Sequence, residues 1–291
     1  MNADPNFAVE IANLNKTYDV KNSEAKRALK DINLSIPRGS FFGLLGPNGA
    51  GKSTLINIMA GLVIKTSGDV RVWGYDIERD MRQARSAIGV VPQELNIDPF
   101  FSPREILEVQ AGLYGVAKKH RRTDEILKAV HLTDKSDAYT RALSGGMRRR
   151  LLIAKAMVHS PPVLVLDEPT AGVDVELRQQ LWAQLRELRE MGTTILLTTH
   201  YLEEAESLCD TIAIINNGEL VTCQPTREIL KSLDRKDITI TVSKPLDSLP
   251  EPLKIFDAQI QNDRDIVFRI KSSDSSIERV ISAVAESGLG I

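Results

Sequence analysis

The stretch GPNGAGKST (Gly46–Thr54) places three glycines, a proline, a lysine and two hydroxyl side chains within nine residues. It follows the apolar run FFGLL (41–45) and precedes LINIMAGL (55–62), in which apolar residues recur at helical spacing. Glycines adopt backbone conformations that other residues avoid, so this stretch indicates a tight loop. The sequence therefore predicts a strand, a glycine-rich loop and a helix in succession.

Four residues of this stretch, Gly46, Gly51, Lys52 and Ser53, match the phosphate-loop pattern GxxxxGK[ST]. The glycines let successive backbone N–H groups curl around an anion, and the following helix points its N-terminal amides at the same place. The lysine can offer a cation to the β- and γ-phosphates, and the serine hydroxyl is a hard oxygen ligand for Mg²⁺. The alternative, a glycine-rich turn without a ligand, is disfavoured by the position between a strand and a helix.

Two candidate acidic residues, Asp167 and Glu168, end the apolar run VLVLDEP (163–169). A phosphate loop needs a metal-binding carboxylate on a neighbouring strand, and Asp167 can hold Mg²⁺ through water. Glu168 comes next, where a carboxylate can orient and deprotonate a water molecule. The alternative is a pair of solvated acids at a strand end, which the phosphate loop makes the weaker interpretation.

A second glycine-rich stretch, LSGGM (Leu143–Met147), precedes another helical pattern. Ser144, Gly145 and Gly146 at a helix start form an anion site by the same physics, although simple N-capping by the serine is the alternative. One nucleotide already belongs to the first loop. Two phosphate sites on one chain are therefore explained if each nucleotide is shared with another subunit.

Composition restricts the class of protein. The chain has 291 residues, 42% hydrophobic and 26% charged, with a net charge of −2, so neither nucleic-acid binding by a global basic field nor disorder is indicated. Cys209 and Cys223 are too few for a disulfide framework and indicate free thiols in a reducing compartment. The N-terminal residues lack a signal-peptide pattern, and no long window is uniformly apolar. We expect a soluble intracellular protein.

Strand-like and helix-like patterns alternate through most of the chain, and the fully apolar strands predict an α/β fold with a parallel sheet covered on both faces. We expect one large domain over residues 7–233, with helical patterns at about 95–160. The hairpin DTIAIINNGELVT (210–222) has Asn-Gly at its turn. Residues 234–291 begin polar and proline-containing and then show a strand and a helix, so we expect a small α/β appendage there.

These motifs, in this order over about residues 7–230, resemble the ATP-binding subunit of ABC transporters. The resemblance implies a P-loop NTPase with a mostly parallel, RecA-like core sheet, an antiparallel β subdomain and a helical subdomain. It also implies that two such domains sandwich two ATP molecules, each bound between the phosphate loop of one domain and LSGGM of the other. ATP and Mg²⁺ are the expected cofactors.

The resemblance extends to single residues. Tyr18 matches the aromatic residue that stacks on adenine, and Gln93 matches the glutamine that contacts Mg²⁺ and the attacking water. His200 matches the histidine that contacts the γ-phosphate, and Asp174 matches a residue that couples the two sites. Glu168 is expected to act as the general base. The residues expected along the phosphates are Gly46, Pro47, Asn48, Gly49, Ala50, Gly51, Lys52, Ser53 and Thr54.

Three consecutive arginines, Arg148–Arg150, follow the second glycine stretch. Each helical residue turns the side chain by roughly 100°, so three in a row do not share one face. We expect a solvated role or one at the rim of the phosphates, not nucleic-acid binding.

Several tracts, including SPREILEVQAGLYGV (102–116), resemble the ATPases of ABC-2-type exporters of the drug-resistance and polysaccharide-export kind. The resemblance implies a separately encoded integral membrane permease, a homodimer or a heterodimer with a paralogue, and a position on the cytoplasmic face of the inner membrane. The alternative is a soluble ABC ATPase that acts on ribosomes or DNA. A scaffold without turnover is disfavoured because Glu168 and Ser144 are both intact.

Overall fold

The computed structural model describes residues 6–18, 25–171, 175–233, 235–243, 245–246, 248–271, 276–287 and 289. The chain forms two compact units, residues 1–226 and 227–291. The division therefore falls at the start of the helix Thr226–Leu233, whereas the sequence places the boundary at its end.

In the described residues the strands are β1 (Phe7–Tyr18), β2 (Lys26–Pro37), β3 (Phe41–Leu45), β4 (Ser67–Val72), β5 (Tyr75–Asp76), β6 (Ile88–Val91), β7 (Val163–Asp167), β8 (Thr194–Thr199), β9 (Thr211–Asn216), β10 (Glu219–Pro225), β11 (Arg235–Thr241), β12 (Asp257–Asn262) and β13 (Asp265–Lys271). The α-helices are α1 (Lys52–Met59), α2 (Met81–Ser86), α3 (Pro103–Leu113), α4 (Thr123–Ala129), α5 (Gly145–Met157), α6 (Val175–Glu190), α7 (Leu202–Leu208), α8 (Thr226–Leu233) and α9 (Ser276–Glu286). None of the helices described is long and apolar enough to cross a membrane.

The first unit is built on a six-stranded sheet in the order β10-β9-β3-β8-β7-β6. Strands β9, β3, β8, β7 and β6 run parallel, and β10 joins as an antiparallel edge strand. All five residues of β3 and all six of β8 are buried. Strands of this kind have no polar face to turn toward water, which is why they lie inside a parallel sheet. The predicted α/β core is confirmed.

A second sheet in the same unit has the order β2-β1-β4-β5, and all its pairs are antiparallel. Its buried side chains alternate along β2 and pack in one cluster with those of β3 and α1. The predicted antiparallel subdomain is therefore present. Strand β2 begins at Lys26, which pairs with Tyr18 at the end of β1.

The predicted helical region contains α3, α4 and α5, which share a separate cluster of buried side chains. Helix α3 begins with a capping box: the Glu105 backbone N–H donates to Ser102 Oγ at 3.3 Å, and the Ser102 backbone N–H donates to Glu105 Oε2 at 2.8 Å. Pro103 at the first helical position has no N–H to leave unsatisfied. These local features explain why α3 starts at Pro103.

The second unit has an antiparallel sheet in the order β11-β13-β12 and the helix α9. Ile240, Ile266 and Phe268 are buried in a cluster that also includes Val280 and Val284 of α9. Strand β13 and helix α9 are as expected, whereas β11 and β12 are not anticipated from the polar sequence. The appendage is an α/β unit with its own core.

Candidate active site

The site lies where four parallel strands end. The phosphate loop follows β3, Gln93 follows β6, Glu168 follows β7 and His200 follows β8. The register pairs Leu45 with Thr199 and Asp167 with Thr198, so the strand ends are level. Ligands of open α/β sheets bind at this carboxyl edge, which here collects residues distant in sequence.

The phosphate loop closes around its own lysine. Lys52 is 5% exposed, and its Nζ donates to the carbonyl oxygens of Gly46 at 2.8 Å and Pro47 at 3.3 Å. The loop is pinned from outside by the Gly218 backbone N–H, which donates to the Ala50 carbonyl at 2.9 Å. A buried ammonium held at the loop centre is available to a phosphate oxygen entering from the cavity.

A cavity of about 350 Å³ opens over this loop. Of the predicted loop residues, Gly46, Pro47 and Ala50 do not line the cavity, whereas the other six do. The side chain of Tyr18 is at the cavity edge, 36% exposed, with Lys16 Nζ 4.5 Å from its ring centroid. The lining residues are Tyr18, Lys26, Ala28, Asn48, Gly49, Gly51, Lys52, Ser53, Thr54, Gln93 and Glu168.

The Glu168 carboxylate lies within 3.5 Å of the side chains of Lys52, Gln93 and His200. The Glu168 side chain is 10% exposed; Oε2 accepts a hydrogen bond from Gln93 Nε2 at 3.3 Å and lies 3.3 Å from His200 Nδ1. Its other oxygen, Oε1, lies 3.5 Å from Lys52 Nζ. The structure thus brings together the four residues for which sequence predicts a catalytic role.

The backbone of Glu168 is in an uncommon conformation, with φ at 46°. Its N–H is held by Thr198, through both the carbonyl oxygen at 3.1 Å and the Oγ1 atom at 3.0 Å. A non-glycine residue in the left-handed region costs free energy, about 1 kcal/mol, and persists where its surroundings impose it. Strand β8 therefore helps to aim the carboxylate into the site.

Two oxygens suited to a hard cation lie side by side. Ser53 Oγ donates to Asp167 Oδ2 at 3.0 Å, and Thr198 Oγ1 donates to Asp167 Oδ1 at 2.6 Å. The described residues contain no cluster of three or more His, Cys, Asp or Glu side chains that could hold a metal alone. Magnesium in nucleotide sites is bound by one or two protein oxygens together with phosphate oxygens, so this pair fits it.

The second predicted phosphate site is elsewhere on the same unit. Ser144 Oγ caps α5 by accepting from the Met147 N–H at 3.3 Å, and a Cβ added to Gly145 would meet no atom within 4 Å. Neither these residues nor Gly146 line the cavity at the phosphate loop. The predicted residue Asp174 lies outside the described residues.

The ABC transporter family profile matches residues 29–171, which include the phosphate loop, Gln93, Ser144 and Glu168. A linearmycin resistance ATP-binding protein from Bacillus subtilis is 38% identical over 238 residues, covering 81% of this chain and 75% of that protein. The chain belongs to the ABC transporter family.

Further similarities agree with this assignment. A Nod factor export ATP-binding protein from Ralstonia nicotianae is 43% identical over 201 residues, which is 68% of this chain. The matched region spans 63% of that relative's length. A dimeric ATP-binding cassette solved after hydrolysis, with ADP and phosphate bound, superposes with a TM-score of 0.67 at 29% identity, covering 75% of this chain and 99% of that one. The predicted ABC ATPase fold and ATP-binding character are confirmed.

Two residues of this ABC ATPase site are not anticipated from sequence. The Thr198 hydroxyl accepts from the Glu168 backbone N–H and donates to Asp167 Oδ1. In the sequence, only the position of Thr198 near the end of an apolar strand points to this role. Arg149 contradicts the expected solvated or rim role, because it is 5% exposed and its Nη1 donates to the Gln93 carbonyl at 2.7 Å. Burial lowers the pKa of this guanidinium. The reason is that α5 packs on β6, so one of its three arginines points inward.

Close packing at Gly46 leads to a prediction. A Cβ at this position would lie 2.2 Å from the Ile215 carbonyl oxygen, far inside contact distance. Gly46→Ala is expected to shift the phosphate loop, abolish measurable ATP binding and destabilise the fold by about 1–3 kcal/mol. Binding of a fluorescent ATP analogue and thermal unfolding measure these effects.

Gly39→Ala is the matched control, because Gly39 precedes β3 at a φ of 68° but its added Cβ would meet nothing within 4 Å. It is expected to cost about 1–2 kcal/mol through its backbone alone and to leave nucleotide affinity unchanged. Equal nucleotide affinity in the two variants would contradict the packing argument.

Proposed function

We propose that the chain hydrolyses ATP with Mg²⁺ in a dimer of ATPase subunits and thereby drives export through a separate membrane permease. The observation that carries the proposal is the convergence of Lys52, Gln93 and His200 on the Glu168 carboxylate beside a phosphate loop. The names of two relatives, for Nod factor export and linearmycin resistance, support export as its direction.

Magnesium would be held by Ser53 and Asp167, whose oxygens lie 3.0 Å apart. When bound, it neutralises charge that develops on the transferred phosphoryl group. Thr198 fixes the carboxylate of Asp167 by donating to its second oxygen, so the oxygen facing Ser53 keeps its direction. Gln93 is the further residue proposed to contact the metal.

Glu168 is proposed as the general base. Its carboxylate takes a proton from the attacking water, and His200 and Gln93, both near Oε2, orient the groups around it. Lys52 binds phosphate oxygens and stabilises negative charge at the phosphoryl group. Tyr18 supports the adenine by stacking, and the amides of Asn48, Gly49 and Gly51 cradle the phosphates.

The separation of the two phosphate sites supports a dimer. Ser144, Gly145 and Gly146 do not line the cavity of their own phosphate loop, so they are free to contact the ATP of another subunit. We propose that two chains, identical or paralogous, bind two ATP molecules between them. Asp174 is proposed to couple the two sites.

Exposed apolar side chains in residues 92–102, which join β6 to α3 and are here called the Gln93 loop, and on α3 itself support a permease contact. Phe100, Val109 and Leu113 are 68%, 54% and 77% exposed, next to an apolar groove of about 220 Å³. Exposed apolar groups gathered around a groove are typical of protein interaction sites. We propose that the permease docks here and holds the ATPase at the inner face of the membrane. The groove is lined by Ile97, Asp98, Phe101, Ile106, Val109, Gln110, Leu113, Leu151, Leu152 and Lys155.

The test is recovery of tagged Glu168→Gln from detergent-solubilised membranes with ATP and Mg²⁺, followed by mass spectrometry. A co-purifying protein with several membrane spans is the expected result. Adding Leu113→Glu should remove it, because a charge would be placed in the apolar groove.

The matched control for that variant is Ile64→Glu, since Ile64 is 79% exposed but does not line the groove. It should retain the membrane protein. Recovery of ribosomal or DNA-repair proteins in place of a membrane protein would overturn the export proposal and favour the soluble alternative.

A further inference from the structure

Two of the three arginines of α5, Arg149 and Arg150, have different surroundings. Arg149 is buried, and its Nη1 donates to the carbonyl oxygens of Gln93 at 2.7 Å and Pro92 at 3.3 Å. Arg150 instead points to the far side of the helix, where its Nη1 donates to the carbonyl oxygens of Val130 at 3.3 Å and His131 at 3.2 Å. Only Arg149 of these two therefore connects α5 with the loop that carries a proposed site residue.

The environment of Arg149 is unusual for a charged group. In the part of the chain that the structure describes, it has no ion-pair partner, and its Nε lacks a hydrogen-bond partner. Burying a guanidinium without an acid costs free energy that the two carbonyl contacts only partly return. A packing role alone is served as well by an apolar side chain of similar length, so the donors indicate a specific task.

We propose that Arg149 is a positioning residue that holds the backbone of Gln93 so that the Gln93 side chain reaches Glu168. The proposal rests on the ATPase function above. The arginine bonds the Gln93 carbonyl at 2.7 Å, while the Gln93 amide donates to Glu168 Oε2 at 3.3 Å. The side chain of Gln93 thus stays free to act while its backbone is fixed.

The same contact links two nucleotide sites. Arg149 lies in α5, whose N-cap is Ser144, a residue proposed to bind the ATP of the other subunit. Gln93 belongs to the chain's own site. A displacement of α5 when Ser144 engages the partner's ATP would therefore move the Gln93 backbone through a single side chain.

The C-terminal end of the Gln93 loop is hydrogen-bonded to the segment that precedes α5. The Thr140 N–H donates to the Phe101 carbonyl at 3.0 Å, and the Arg141 N–H donates to the Pro99 carbonyl at 3.4 Å. Both donors lie two to four residues before Leu143 and Ser144. The loop is therefore anchored at both ends to the segment that carries the second phosphate site, and Arg149 is the anchor nearest the reacting groups.

Arg149→Met keeps the length of the side chain and removes its donors. We expect the kcat of ATP hydrolysis to fall about tenfold or more, because displacements near 1 Å are enough to cost such factors, while the affinity for ATP changes less than about threefold. Arg149→Lys, which can still donate to one carbonyl, should recover part of the rate. Arg150→Met is the matched control and should lower the unfolding temperature with little effect on kcat.

A double-mutant cycle with Gln93→Ala gives the decisive readout. If Arg149 acts through Gln93, Arg149→Met lowers kcat in the wild-type background and has little further effect once Gln93 is alanine. Independent, multiplicative losses, or a kcat equal to wild type, would overturn the inference. If the methionine variant does not fold, the same cycle with Arg149→Lys decides.

Failure of the proposed function has a different signature. A wild-type chain that binds ATP but does not hydrolyse it, alone or with its membrane partner, would remove the ATPase proposal itself. If the wild-type chain hydrolyses ATP but the two substitutions lower kcat by independent, multiplicative factors, only the role of Arg149 is overturned.

Discussion

Lys52→Ala is expected to abolish ATP hydrolysis and to weaken ATP binding about 10- to 100-fold. A hydrogen bond from a charged group contributes about 1.5–3 kcal/mol, and each 1.4 kcal/mol is about tenfold in affinity. Loss of the charge proposed to stabilise the transition state is expected to lower the rate of hydrolysis by a further factor of about 10²–10³. The substitution also leaves the Gly46 and Pro47 carbonyls without their donor and removes the ammonium that lies 3.5 Å from Glu168 Oε1. Titration with ATP and a phosphate-release assay measure both effects.

Lys65→Ala provides the control for Lys52→Ala. Lys65 also pairs with a glutamate, Glu78 at 2.8 Å, but away from the cavity. An ion pair with one exposed member contributes about 0–1 kcal/mol, so stability should change little and turnover not at all. Retained turnover in Lys52→Ala would refute the assignment of the phosphate loop.

The phosphate loop could be predicted from sequence because its chemistry is local. Gly46, Gly51, Lys52 and Ser53 are a few residues apart, and their spacing alone indicates an anion site between a strand and a helix. The structure adds what spacing cannot supply. The Lys52 ammonium is buried against two carbonyls of its own loop, a contact that depends on the fold of the loop.

Gln93, Glu168 and His200 lie close together because β6, β7 and β8, which they follow, are neighbours in the folded sheet. Residues 93 and 168 are far apart in sequence, and β6 pairs with β7 only in the folded sheet. Family resemblance pointed to all three residues, but neither their distances nor Thr198 could be derived from the sequence. A threonine in the apolar run TTILLTTH (193–200) carries no local sign that it binds two carboxylate-bearing residues.

The burial of Arg149 also depends on tertiary packing, which helical periodicity does not reveal. Helical periodicity correctly separates the directions of Arg148–Arg150 but does not say which direction faces protein. The packing of α5 on β6 decides that, and it buries the middle arginine. Strand β11 is missed from the sequence for a similar reason. Ile238 and Ile240 alternate toward the core, but their charged and polar neighbours and the prolines that follow obscure the alternation.

Glu168→Gln is expected to lower ATP hydrolysis by about 10²–10⁴ while ATP binding is kept. The amide has nearly the same shape but cannot accept a proton from water at neutral pH. The backbone of Glu168, held by Thr198 with φ at 46°, makes no demand on the side-chain charge, so the fold should be unchanged. If Glu168 lies beside the γ-phosphate, as proposed, removing its buried negative charge also relieves repulsion and favours the ATP-bound form.

The accompanying prediction is an ATP-dependent dimer. Without hydrolysis, ATP held between the phosphate loop of one chain and Ser144 of another persists, so Glu168→Gln should elute as a dimer with ATP and Mg²⁺ and as a monomer with ADP. Glu206→Gln, an exposed acid on α7, is the control and should behave as wild type. Light scattering during size-exclusion chromatography measures the mass. A Glu168→Gln monomer at saturating ATP and Mg²⁺ would contradict shared sites, because the two phosphate-binding stretches on each chain would then serve different nucleotides.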